Sequence, residues 1–138
     1  MKSAPKRILI VGGGASGVIA AIALMRAGIE PDMIDIAEPR ELLGEGLAYQ
    51  TRNSLHRLNV QSSRMSAIEE LPNDYLEWSI ALPYSFMERQ SYGEYLRDRC
   101  GAGLNHIRDY VIDLDLRVTG EISATFSLGT NKNYDVSF

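Results

Sequence analysis

"RILIVGGGASGVIAAIALMRAG" occupies residues 7–28, and its reading decides the fold. Ile8, Leu9, Ile10 and Val11 form an all-apolar run of the kind found in strands buried on both faces of a parallel sheet. Gly12, Gly13 and Gly14 follow at once, and then Gly17. Residues 15–27 are mostly Ala, Ile, Val, Leu and Met, with Arg26 the one charge, which predicts a buried helix. Gly28 stands where a left-handed C-terminal cap is wanted. Residues 33–37 read as a second strand with Ile34 and Ile36 on one face. This strand, helix and strand have a crossover length that suits a parallel pair.

Gly12-Gly13-Gly14-Ala15-Ser16-Gly17 matches the pattern G-x-G-x-x-G. Each glycine of the pattern has a physical task. Gly12 allows the tight turn out of the strand, Gly14 clears space for a pyrophosphate against the backbone, and Gly17 lets the helix pack closely on the sheet. Exposed N–H groups of the first helical turn then bind phosphate, aided by the helix dipole. The pattern alone is weak. Here a strand precedes it, a helix follows it, and Glu38 ends the second strand about 20 residues on. A carboxylate there accepts hydrogen bonds from the adenosine ribose and repels a 2′-phosphate, which disfavours NADP. Arg40 either offsets that repulsion or is a surface charge or a guanidinium over the adenine, and the residues leave both readings open. The loop does not separate FAD from NAD, since both carry the same ADP half.

The bulk numbers narrow the class. At 138 residues the chain suits one domain and one modest core. A hydrophobic share of 45% is that of a globular protein. The net charge of -4 and the lack of a basic run argue against a nucleic-acid partner. Cys100 is the single cysteine, so no internal disulfide forms, and a reducing, cytoplasmic compartment is expected. "MKSAPKR" resembles the charged head of an export signal, but the glycines break the apolar run behind it. No stretch approaches the roughly 18 apolar residues of a membrane span.

Residues 39–62 read mostly as loop. Ser66 to Glu69 and Ser91 to Glu94 have the form of capping boxes, and Asn73 is placed to cap a short helix through Trp78. The second box opens a helix with Tyr92, Tyr95, Leu96 and Cys100 on one face, ended by Gly101. "HIRDYVIDLDL", "SATFSLG" and "YDVSF" alternate apolar and polar residues and predict an antiparallel meander of three strands. The expected fold is α/β, a Rossmann-like three-layer FAD/NAD(P)-binding domain over residues 1–138, its parallel sheet accompanied by the meander. Met65 and Ser66 read as a helix entry, and His56 and His106 as structural. Two histidines without a carboxylate pattern do not point to a metal. Cys100, at a helix end, lacks the field that activates a thiolate.

"ILIVGGGASGVIAAIAL", "IAEPRELLGEGLAY", "LHRLNVQSSRMS" and "ERQSYGEYLRD" together resemble successive blocks of the bacterial FAD/NAD(P)-binding proteins, the group that includes a flavin-dependent urate hydroxylase. They are similar, more distantly, to the N-hydroxylating monooxygenases. The resemblance runs from Arg7 into the meander. It implies a glutathione-reductase-like FAD domain with flavin-dependent redox or hydroxylation chemistry. The position of the fingerprint near the start and the meander near the end fit FAD, by analogy of fold, with NAD as the alternative. The resemblance implies that Gly12, Gly13, Gly14, Ala15, Ser16 and Gly17 hold the pyrophosphate and that Glu38, Pro39 and Arg40 hold the adenosine end. Gly46, Leu47, Ala48 and Tyr49, with Leu58, Asn59 and Val60, would approach the flavin, and Val111 and Ile112 would border the adenine. Leu58 and Val60 also read as simple core, Tyr49 as a loop cover, and Asn59 as needing a partner if buried.

Members of that family are several times longer. They continue into a strand ending near "ATG", whose glycine closes over the pyrophosphate, and then into a second nucleotide-binding domain and a substrate domain. This chain is expected to stop where that strand begins. The sheet would then be truncated, and self-association or another chain would complete it. Catalysis needs a hydride donor and a closed site, so it is not expected of the chain alone. A non-catalytic module that holds NAD or ADP is the alternative function.

Overall fold

The computed structural model describes residues 6–138, and residues 1–5, which begin the stretch compared above with an export signal, lie outside them. Strand β1 (Ile8–Val11) runs into helix α1 (Ala15–Arg26). A 3-10 turn (Pro31–Met33) then leads into strand β2 (Ile34–Ala37), so Met33 belongs to the turn and not to the strand. At the end of α1, Gly28 adopts φ +96° and its N–H reaches the Met25 carbonyl, as the cap reading expects. One-turn α2 (Gly46–Tyr49), a 3-10 turn (Ser62–Arg64), α3 (Asp74–Ser79) and α4 (Arg89–Cys100) follow. The last third holds β3 (Asn105–Ile107), β4 (Val111–Leu116), β5 (Ile122–Phe126), β6 (Asn131–Tyr134) and β7 (Val136–Ser137).

These strands form a parallel sheet in the order β3-β2-β1-β7 and an antiparallel sheet in the order β4-β5-β6. Period-two alternation sorts the parallel sheet's side chains into two cores. Ile10, Ile34 and Ile36 face α1 and α4 and pack with Val18, Ile22, Tyr75, Tyr95 and Leu96. Leu9 and Ala37 face the other way, onto Ala124, Phe126 and Tyr134 of the meander. The result is the expected three-layer α/β arrangement.

The meander's boundaries differ from the sequence reading. "HIRDYVIDLDL" is not one strand: His106 and Ile107 sit in β3 beside β2, and the meander begins at Val111. "YDVSF" is also split. Tyr134 ends β6 while Val136 and Ser137 already pair parallel with β1. The Arg7 N–H donates to Asp135 Oδ2 at 2.8 Å and the Asp135 N–H to the Arg7 carbonyl at 2.9 Å, and this pair turns the chain from one sheet into the other. Strand β7 therefore covers the edge of β1 that the sequence reading left open.

Two capping boxes also fail to cap. α4 starts at Arg89, because the Leu58 N–H bonds the Met87 carbonyl and the Arg89 N–H bonds the His56 carbonyl, launching the helix from that bridge. Ser91 lies inside the helix and shares a 2.7 Å hydrogen bond with the Tyr75 hydroxyl. Ser66 opens no helix. Its hydroxyl closes a local turn onto the Leu71 carbonyl at 2.6 Å. Asn73 does precede α3, without a side-chain cap bond. Gly101 follows α4 as expected.

Asp35 joins the layers. It is fully buried on the meander side of β2 and accepts from Tyr134 Oη (2.6 Å), Asn105 Nδ2 (2.9 Å) and Lys132 Nζ (3.1 Å). Burial pushes its carboxyl up, but these three hydrogen bonds and the Lys132 charge outweigh burial and hold it below the usual carboxylate range. Asp35→Ala strands three donors and is expected to lower unfolding free energy by about 3 kcal/mol in urea melts. The carboxylate's contribution is complete above its unfolded range, near pH 4, and is lost as pH falls through the lower folded value. The acid limb of the stability profile should therefore flatten in Asp35→Asn. An unaltered limb would mean that the layers are joined by other contacts.

Candidate functional site

The carboxyl end of β1 opens into a cleft of about 500 Å³ at the point where the chain order of the sheet reverses. Crevices at such points are where open α/β sheets take ligands. One wall is Val11, Gly12, Gly14, Ala15, Ser16 and Gly17, and the other is Glu45, Gly46, Leu47, Ala48 and Tyr49.

The loop folds as it does for steric reasons. Gly12 holds φ +103°, which turns the chain out of β1. A Cβ on Gly17 would stand 1.9 Å from the Gly12 carbonyl oxygen, so α1 approaches the turn this closely only with glycine there. A Cβ on Gly13 would meet Glu38 and Leu43 side-chain carbons at 2.6 Å. Gly14 is the N-cap of α1, in an extended conformation open to any residue. It faces Gly46 across the cleft, with ordinary contact space for one methyl group. No side chain caps α1 and its first turn carries no acidic residue. The leading N–H groups thus face the cleft with their positive dipole end uncompensated.

Glu38 sits beneath this loop. It is only 3% exposed. Its Oε2 accepts from the Gly13 N–H at 3.0 Å, and its Oε1 accepts from the Arg40 N–H at 2.9 Å and Arg40 Nη1 at 3.2 Å. The Glu38 N–H bonds the Ile107 carbonyl, and His106 Nε2 donates to the Glu38 carbonyl at 2.8 Å. The carboxylate therefore ties the glycine loop to β2, and Arg40 folds over it as a cover, the half-exposed side chain reaching the solvent.

The far wall rests on α4. The Gly44 N–H reaches the Gly13 carbonyl at 2.8 Å, joining the two walls at their base. Tyr49 meets Tyr92 edge-on at 5.0 Å between ring centres, and Tyr92 in turn meets Tyr75 at 5.3 Å. Burial, with neighbouring phenols second, pushes the Tyr92 hydroxyl above its usual range, so the ring stays neutral. Burial likewise pushes the Cys100 thiol up to about 11, which keeps it protonated and unreactive.

Nine of the residues read from the sequence meet in the cleft: Gly12, Gly14, Ala15, Ser16, Gly17, Gly46, Leu47, Ala48 and Tyr49. Gly13, Glu38, Pro39 and Arg40 lie directly behind the loop. Leu58 is core, Asn59 is exposed, Val60 is half-buried, and none of the three lines the cleft. Val111 opens the meander and packs against its core with Leu9 and Phe126, Ile112 is exposed, and both lie outside the cleft walls. The sequence reading missed Val11 and Glu45. Glu45 had a signal, a lone acid between Gly44 and Gly46. Among the described residues no cluster of three or more His, Cys, Asp or Glu is placed to hold a metal, and no helix is long and apolar enough to cross a membrane.

Residues 9–123 match the family described as FAD-NAD(P)-binding, and the chain belongs to it. No curated protein sequence matches the chain. Among solved structures, S-allyl-L-cysteine S-oxygenase from Allium sativum is similar at 17% identity and TM-score 0.68, over 96% of this chain and 35% of that one. An oxidised steroid monooxygenase bound to NADP is similar at 19% identity and TM-score 0.69, over 93% of this chain and 24% of that one. OTEMO in complex with FAD and NADP is similar at 17% identity and TM-score 0.64, over 96% of this chain and 25% of that one. At these identities the likeness is one of fold, and the chain spans roughly a quarter to a third of each.

Gly17→Ala is expected to cost about 2 kcal/mol or more, since a methyl group must displace backbone rather than a flexible side chain. Thermal and urea unfolding read this directly. A variant as stable as the parent would show that α1 can draw back from the turn without loss.

Proposed function

We propose that this chain is the FAD-binding portion of a flavin-dependent oxidoreductase of the monooxygenase-like kind. Residues 1–138 then form one Rossmann-like domain of a larger flavoprotein. The observation that carries the reading is the uncapped, acid-free start of α1 facing Gly46 across a cleft at the sheet's switch point. The family's description and a fold shared with flavin-bound OTEMO support FAD as the dinucleotide. A cytoplasmic setting is part of the proposal, in keeping with one buried free thiol.

In this reading the N–H groups of Gly14, Ala15, Ser16 and Gly17 hold the pyrophosphate. Glu38 takes the adenosine ribose on its remaining lone pair after Arg40 moves aside, and Pro39 and Arg40 border the base. Gly46, Leu47, Ala48 and Tyr49 form the wall towards the flavin, with Leu58, Asn59 and Val60 behind it, and the backbone of Val111 and Ile112 lies towards the adenine. Bound FAD supplies two-electron redox chemistry at its isoalloxazine. The chain's own contribution is to bind and orient.

The visible spectrum of the purified protein tests the cofactor. Oxidised-flavin absorption, with FAD released on denaturation, supports the proposal. A colourless protein that resists FAD but binds NAD or ADP supports a non-catalytic module instead. Gly14→Val should fold normally and lose dinucleotide binding, because its extended backbone suits any residue while its side chain fills the cleft. Retained binding would place the pyrophosphate elsewhere.

Glu38→Gln should weaken ADP by about 1–3 kcal/mol and narrow the preference for ADP over 2′,5′-ADP. Titration calorimetry with both nucleotides gives that ratio, which a purely structural role for Glu38 would leave unchanged.

A further inference from the structure

Among the described residues, Glu45 is the only charged side chain that lines the cleft. A carboxylate in that place repels any phosphate that the α1 N-terminus attracts. It is 6% exposed, and its Oε1 accepts from two arginines, Arg52 Nη2 at 2.9 Å and Arg97 Nη1 at 3.1 Å. The two are not equivalent. Arg97 belongs to α4, is 26% exposed, and also donates to the Leu43 carbonyl at 3.2 Å, so it fixes the wall in place. Arg52 is 54% exposed, and among the described residues its other hydrogen bond is to the Gln50 carbonyl at 3.0 Å. One guanidinium neutralises the carboxylate, and the second makes the group net positive.

We infer that Arg52 is a specificity-determining positioning residue that acts through Glu45: it keeps this wall of the cleft net positive and so selects a diphosphate-bridged ligand over a neutral adenosine ligand. The inference rests on the dinucleotide reading above and adds to it the residue that sets the charge of the second wall. Arg52 lies outside every block from which binding residues were read, because its effect passes through a neighbour. Its long-range character makes it sensitive to salt, since exposed charges are screened beyond about 10 Å at 0.1 M.

The test is calorimetric titration of the whole chain with ADP-ribose and, separately, with adenosine. Arg52→Gln is expected to weaken ADP-ribose about tenfold at low ionic strength, with the loss shrinking as salt is raised, and to leave adenosine unchanged. Glu45→Gln in the Arg52→Gln background is expected to restore the ADP-ribose affinity, because it removes the charge that Arg52 offsets. An Arg52→Gln variant that binds ADP-ribose like the parent overturns the inference. So does a loss that Glu45→Gln does not rescue, since Arg52 would then act on the ligand directly or on the fold. Absence of ADP-ribose binding by the unaltered chain overturns the dinucleotide reading itself, and this inference with it.

Discussion

The contact between Gly17 and the Gly12 carbonyl is the constraint on which the rest of the site depends. A Cβ at residue 17 would lie 1.9 Å from that oxygen, so the helix reaches the turn only because no side chain intervenes. The closeness aims the first turn of α1 along the line of β1. It places four N–H groups that no helical carbonyl can receive at the mouth of the cleft. Gly14 as N-cap offers them no side-chain acceptor. The helix is thus incomplete at its own start, and in the proposed reading the diphosphate completes it.

Two carboxylates, one on β2 and one just past its end, do different work in the same interior. Asp35 faces the meander and gathers Tyr134, Asn105 and Lys132, so β3 and β6 are fixed to β2 by one acceptor. Glu38, at the strand's end, gathers the glycine loop and Arg40, and its carbonyl anchors His106. Both are nearly inaccessible, and both are tolerable there because their oxygens are hydrogen-bonded. The difference lies in their partners. Those of Asp35 are spread over β3 and β6 and lock a layer. Those of Glu38 are the Gly13 and Arg40 backbone N–H groups and the half-exposed Arg40 guanidinium, which in the proposed reading a ligand hydroxyl replaces.

The strand-glycine-helix unit was legible because each of its residues obeys a local rule: apolar run, positive-φ glycine, close-packed glycine, cap. The cleft's first wall followed from it. What was not legible depends on partners distant in sequence. "YDVSF" keeps its period-two alternation straight through Asp135, while the strand changes from one sheet to another at that residue. Alternation reports which face a residue takes and is silent on which strand it pairs with. The capping boxes at Ser66 and Ser91 failed for a similar reason, since their hydroxyls are claimed by the Leu71 carbonyl and by Tyr75. Glu45 was visible as a lone acid, but its meaning came from Arg97, far along the chain on α4.

These observations give the cleft two walls of unlike construction. The first rises from β1, a strand paired on both sides, with the Val11 N–H on the Phe138 carbonyl and the Gly12 N–H on the Ala37 carbonyl. Its donors are backbone groups, fixed by the sheet and the same for any diphosphate. The second wall is a single helical turn, α2, whose length is too short to be stable by itself. It is held by the Gly44 bond to Gly13, the Glu45 ion pairs and the Tyr49–Tyr92 contact. Side chains thus decide the shape and charge of that wall. In the proposed reading, the backbone N–H groups of the first wall hold the diphosphate. In the same reading, the side chains that support the second wall set the charge this diphosphate meets, and substitution there changes the charge without disturbing the sheet.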